Sequence, residues 1–170
     1  MIGTRLSRFR LTLVVIGALV AAPAAAQDAC SAGWPMGEER ARLSDPALPA
    51  LPSGTGIDIS GQTALRLNLK PWPEAGLPHA PDRTPATDSF AGYLTLTGSG
   101  LMQITLSDAA WVDLIVDATP QSPATFTSVH GCPGVRKSLR FQLPATPTAL
   151  MLQVSGAERP AIGIVLRRLP

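Results

Sequence analysis

From about residue 62 onward, apolar side chains recur at every second position. Leu65, Leu67 and Leu69 alternate with Arg66, Asn68 and Lys70. Successive side chains of a strand point to opposite faces, so this is the pattern of a strand with one buried side. Residues 90–97 place Leu94 and Leu96 against Tyr93, Thr95 and Thr97, and Met102, Ile104 and Leu106 alternate with Gln103, Thr105 and Ser107. Gly98-Ser99-Gly100 separates these two runs, which together are read as a hairpin. Val112, Leu114 and Val116 then face away from Trp111, Asp113, Ile115 and Asp117. Residues 125–130 form a short strand. Leu139, Phe141 and Leu143 alternate with Ser138, Arg140 and Gln142. Leu150, Leu152 and Val154 make the next inward face, and Ile162, Ile164 and Leu166 the last. About eight strands at a spacing of about 8–12 residues predict an all-β domain, an antiparallel β-sandwich or jelly roll over residues 62–170. Leu114, Leu139, Phe141 and Leu152 are expected in its core.

Residues 27–61 have a different character, rich in Pro, Gly, Ala and Ser. Residues 38–43 suit one short helical turn. Asp45-Pro46, Leu48-Pro49 and Leu51-Pro52 then exclude helix, because the residue before proline avoids the α region. The segment is read as an extended proline-rich N-terminal arm lying on the sandwich. Residues 71–88 form a second proline-rich stretch, a loop holding Trp72, His79 and Arg83. With 17 prolines, 15 glycines and only 15% charged residues, the composition supplies turns rather than helices.

Residues 1–26 read as a secretory signal peptide. Arg5, Arg8 and Arg10 form a basic start, residues 11–22 an apolar stretch, and Ala24-Ala25-Ala26 a small-residue cleavage site. The apolar stretch is shorter than the roughly 20 residues that span a bilayer, so no membrane span is expected after cleavage. This implies a periplasmic or secreted protein. Three of the 14 basic residues and none of the 12 acidic ones lie in residues 1–26, leaving 11 against 12 and a net charge of −1. Nucleic acid is therefore not expected as a partner, since phosphate contacts need clustered Lys and Arg. The two cysteines, Cys30 and Cys132, are expected to pair in an oxidising compartment and to pin the arm to the domain.

Two resemblances follow from these residues. Tyr93-Leu94-Thr95-Leu96, Ile104-Thr105-Leu106, Val112-Asp113-Leu114-Ile115-Val116 and the run from Leu150 through Val154-Ser155-Gly156 resemble the bacterial pre-peptidase C-terminal type of secreted β-sandwich, an accessory module. Cys30-Ser31-Ala32-Gly33-Trp34-Pro35-Met36, Ala75-Gly76-Leu77-Pro78, Ala110-Trp111-Val112-Asp113 and His130-Gly131-Cys132-Pro133-Gly134-Val135-Arg136 resemble a family of small exported alphaproteobacterial proteins. Its members often carry the label homogentisate 1,2-dioxygenase. That label implies an iron held by two histidines and a carboxylate. The chain has two histidines in all, His79 and His130, so both would be required, and His79 has no metal-type partner nearby in sequence.

Other chemistry is sparse. The chain contains neither a Gly-x-Ser-x-Gly elbow nor a His-Glu-x-x-His helix. Asp113 and Asp117, four apart on one strand, sit about 13 Å from each other, too far for a glycosidase pair. One cluster stands out: Trp111, Asp113, His130, Arg136 and Lys137 combine an aromatic surface, a carboxylate, an imidazole and two cations near the expected disulfide. Such a set suits a small polar or anionic ligand. It equally suits an ion pair beside a packed tryptophan. The expectation is a non-enzymatic domain that binds a periplasmic protein or small polar ligand, with no cofactor. A metal-dependent enzyme using His79 and His130 is one alternative. A carbohydrate-binding module presenting Trp34, Trp72 or Trp111 is another.

Overall fold

The computed structural model describes Cys30, residues 33–59 and residues 61–170. The expected signal peptide, residues 1–26, lies outside the described residues. One short helix, α1 (Gly37–Leu43), precedes twelve strands: β1 (Ala50–Pro52), β2 (Gly56–Asp58), β3 (Gln62–Asn68), β4 (Lys70–Pro71), β5 (Phe90–Gly98), β6 (Leu101–Leu106), β7 (Trp111–Val116), β8 (Thr119–Gln121), β9 (Thr125–Ser128), β10 (Lys137–Gln142), β11 (Thr148–Ala157) and β12 (Ala161–Arg168). They form two packed sheets. The first runs β1-β3-β12-β6-β10-β9. The second runs β2-β5-β11-β7-β8, with β4 paired to the start of β5.

All eight expected strands are present, and among them every pairing is antiparallel. The alternating apolar positions of β3, β5, β6, β7, β10, β11 and β12 meet between the sheets in one core. Leu94, Ile104, Leu114, Leu152 and Ile164 are wholly buried there, with Phe141 and Leu139 almost so. Burial of this apolar surface, at about 25 cal/mol per Å², is the main driving force for the sandwich.

Three expectations are corrected. First, β5 and β6 do not form a hairpin. β5 pairs with β11 and β2, whereas β6 pairs with β10 and β12. Gly98-Ser99-Gly100 instead carries the chain across the core from one sheet to the other, Gly100 taking a φ of 72°. Alternation dictates which side chains point inward, and both an arch and a hairpin satisfy it. Second, the stretch read as an extended arm also contributes strands to the sandwich. β1 and β2 join the edges of both sheets as parallel strands, which makes each sheet mixed. Third, Ile115, placed on the face of β7 away from Val112, Leu114 and Val116, is buried as well, at 3% exposure. The reason is the loop of residues 72–89, which folds back across the outer face of the second sheet.

That loop is held by side chains from the sheet it covers. The His79 N–H donates to Gln153 Oε1 at 2.9 Å, and Gln153 Nε2 donates to the His79 carbonyl at 3.2 Å. A fully buried amide thus pairs with loop backbone as a neighbouring strand would. The opposite outer face, on the first sheet, is covered by the N-terminal segment. The Cys30–Cys132 disulfide, with Cα atoms 5.0 Å apart, anchors it to the β9–β10 loop. Trp34, Met36, Val129 and Val135 pack round the bridge in a second, smaller core, with Leu43 against it. Helix α1 approaches β12 so closely that a Cβ on Gly163 would lie 2.8 Å from Leu43 Cδ2, so any larger residue there would push the Leu43 side chain aside. Glu39, 1% exposed, accepts hydrogen bonds under this layer from Gln103 Nε2 at 2.8 Å and Arg167 Nη1 at 3.3 Å.

Candidate functional site

The two sheets end unevenly along one side. There the first sheet finishes on β9 and the second on β8, and the sandwich has an open mouth. Phe126 shows the consequence. It lies opposite Leu139 in the β9–β10 register, so it continues the inward-facing row of Leu139 and Phe141. No strand of the second sheet reaches over it, and it is 64% exposed. Among the described residues, Phe126 and Trp111, the latter 41% exposed, are the large hydrophobic side chains left open to solvent. Both border the same cleft of ≈ 270 Å³, with Asp82, Asp113, Gln121, Ser122 and Lys137.

Lys137 also belongs to the inward row, at the start of β10. Its ammonium emerges at the mouth, donates to the Ala110 carbonyl at 3.4 Å and stands 4.8 Å from the Trp111 ring centre. The Arg83 guanidinium, brought by the loop over the second sheet, stands 3.9 Å from the same ring. Two cations on one indole is a cation–π arrangement, to which each contact adds about 0.5–1 kcal/mol at an exposed site. Burial pushes the Lys137 ammonium below the usual lysine range and Arg83 pushes it further, while Asp113 opposes both. Asp113, on the same face of β7 as Trp111, accepts the Asp82 N–H at 3.4 Å. Burial holds its carboxyl above the ordinary carboxylate range. The Asp82 N–H draws it back, the Asp82 carboxylate raises it again, and Lys137 lowers it slightly.

Of the five residues singled out from the sequence, Trp111, Asp113 and Lys137 therefore meet at one cleft. His130 and Arg136 make a separate pair. Arg136 Nη1 donates to the Val129 carbonyl at 3.2 Å and to His130 Nδ1 at 2.9 Å. A guanidinium only donates, so His130 Nδ1 is the acceptor in this contact. This pair borders a shallow hollow of ≈ 350 Å³ beside Cys132. Arg136 also touches a cleft of ≈ 230 Å³ shared with Trp111 and Lys137, which links the two groups without merging them.

Asp82, Phe126 and Gln121 were missed as members of the site. Their local sequence gives no sign of it, since one sits in a proline-rich loop and the others on edge strands. His79 lines yet another cavity, ≈ 550 Å³ against β5, β11 and the end of β7, away from the hollow that His130 borders. Among the described residues, no three His, Cys, Asp or Glu side chains gather as a set of metal ligands. Also among the described residues, no helix is long and apolar enough to cross a membrane. No family model matches the chain, and no curated protein matches it.

Proposed function

We propose that this protein is an exported binding domain that takes a small polar ligand at the open mouth of its sandwich and acts by holding it. The observation that carries the reading is the cleft where Phe126, Trp111, Asp113, Asp82 and Lys137 meet. An aromatic left exposed in a core register, beside Asp113 and Lys137 on strands and Asp82 on the loop that crosses the second sheet, is a surface that folding alone does not require. Export is supported by the basic, apolar and small-residue order of residues 1–26 and by the disulfide, which persists in oxidising compartments.

The test compares Trp111→Ala, Asp113→Ala and Lys137→Ala with His130→Ala and Arg136→Ala. Protein recovered from the periplasm is denatured, and the small molecules it releases are identified by mass spectrometry. The cleft reading expects a compound retained by the wild type and lost from the first three variants with no fall in melting temperature. Loss of stability without loss of a bound compound would make the cluster structural.

A further inference from the structure

We infer that the ligand of this mouth is a neutral sugar ring, stacked on Phe126 and hydrogen-bonded by Asp113, Asp82 and Gln121; this rests on the binding reading above. Three features point the same way. The first is charge. Asp82 and Asp113 are balanced by Lys137 and Arg83, so the mouth offers neither a cation nor an anion a net attraction. A neutral ligand rich in hydroxyls meets no such mismatch. The second is the division of the aromatics. Arg83 and Lys137 already occupy the Trp111 ring, leaving Phe126 as the free platform. A pyranose presents an apolar C–H face to such a ring and a rim of hydroxyls to its surroundings, and the cleft is lined by both kinds of group, Phe126 and Leu139 together with Asp82, Asp113, Gln121 and Lys137.

The third feature is the spacing of acceptors. The Asp82 N–H lies 3.4 Å from Asp113 Oδ2, so the two acidic residues sit side by side. Each carboxylate has two oxygens that accept from adjacent hydroxyls. An extended peptide offers backbone donors only about 3.3 Å apart per residue, on alternating sides, and matches such clustered acceptors poorly. Gln121 Nε2 gives one of its two N–H groups to the Thr119 carbonyl, which leaves the other as a donor and Oε1 as a further acceptor. Lys137 spends one N–H on Ala110 and keeps two to donate to sugar oxygens. A cleft of ≈ 270 Å³ lies just below the roughly 300–1,000 Å³ of sites for larger ligands, so it suits a single ring or the end of a chain.

The experiment is isothermal titration of the exported protein with two panels. One holds neutral sugars: glucose, galactose, mannose and N-acetylglucosamine. The other holds glutamate, citrate, spermidine and a proline-rich peptide. Saturable binding of at least one sugar is expected. Phe126→Ala should weaken it about tenfold or more, as loss of an aromatic stack implies, with the melting temperature unchanged. Asp113→Asn should weaken it too. Binding confined to the second panel would overturn the sugar inference and leave the mouth as a binding site. Heat from neither panel would overturn both, and sugar binding untouched by Phe126→Ala would place the sugar elsewhere and end this proposal.

Discussion

Removing the Glu39 carboxylate probes how the N-terminal layer is attached. Glu39 is 1% exposed, and its Oε1 accepts from Gln103 Nε2 and Arg167 Nη1, while Oε2 has no partner. In Glu39→Ala the two donors fare differently. Arg167 is also bound by Glu38 Oε2 at 3.1 Å, and its side chain is 36% exposed, so it keeps a partner and reaches water. Gln103 is 2% exposed, and its Oε1 stays engaged by Arg140 Nε at 2.9 Å. Its Nε2 is stranded. The cost is therefore that of one unsatisfied buried donor, about 1–3 kcal/mol. The 3–5 kcal/mol typical of a buried ion pair left with an unpaired charge does not apply. With a urea slope of about 1–3 kcal/mol per molar, the midpoint should fall by about 1 M at unchanged slope. A double-mutant cycle with Gln103→Ala should show coupling of about 0.5–3 kcal/mol, because the two residues share a hydrogen bond. If Glu39→Ala stays within about 0.5 kcal/mol of wild type, as ordinary surface changes do, or if the two substitutions are additive, the buried network does not hold the layer down.

Other outcomes follow from the same structure. Phe141→Ala empties the centre of a closed core and should cost about 3–5 kcal/mol in urea denaturation; a small loss would mean the sheets collapse onto the vacancy. Reducing the Cys30–Cys132 bridge, which spans 102 residues, should destabilise the fold by about 2–5 kcal/mol, read from melting with and without reductant. The Asp113 carboxyl is raised by burial, so its ionised form weighs against the folded state at neutral pH. Asp113→Asn should then be the more stable protein at neutral pH. The wild type should close the gap as pH falls through the raised folded value and both states become protonated; a gap that widens on acidification would reverse the assigned sign. Lys137→Met should likewise stabilise at neutral pH, with the advantage fading as alkaline pH neutralises the wild-type amine in both states.

The strands and their inward faces were legible because alternation is a local property. A strand such as Leu150–Val154 can bury one side only if every second residue is apolar, whatever its neighbours are. The pairing of Cys30 with Cys132 was legible for a similar reason, since the described chain offers no other thiol. Which strand lies beside which was not. Leu94–Leu96 and Met102–Ile104 bury the same faces whether they form a hairpin or an arch, and only the packing of β11 and β10 beside them selects the arch. β1 and β2 escaped notice because three-residue parallel edge strands show no alternation, and a proline such as Pro52 is tolerated at an edge.

The site divides in the same way. Trp111 and Asp113 share a face of one strand by simple periodicity, so the chain itself places them together. Lys137 joins them because β10 begins at the mouth, and Arg83 and Asp82 because Gln153 ties their loop across the second sheet. His130 and Arg136, near the cluster in sequence, bind each other instead. Phe126 reads as an ordinary strand residue, and Glu39 as an ordinary helix surface residue. One is exposed because the opposing sheet stops short, the other buried because the disulfide and Gly163 let α1 close over β12. Exposure is a property of what lies opposite a side chain, and for these residues that partner is supplied by distant chain segments that no local pattern records.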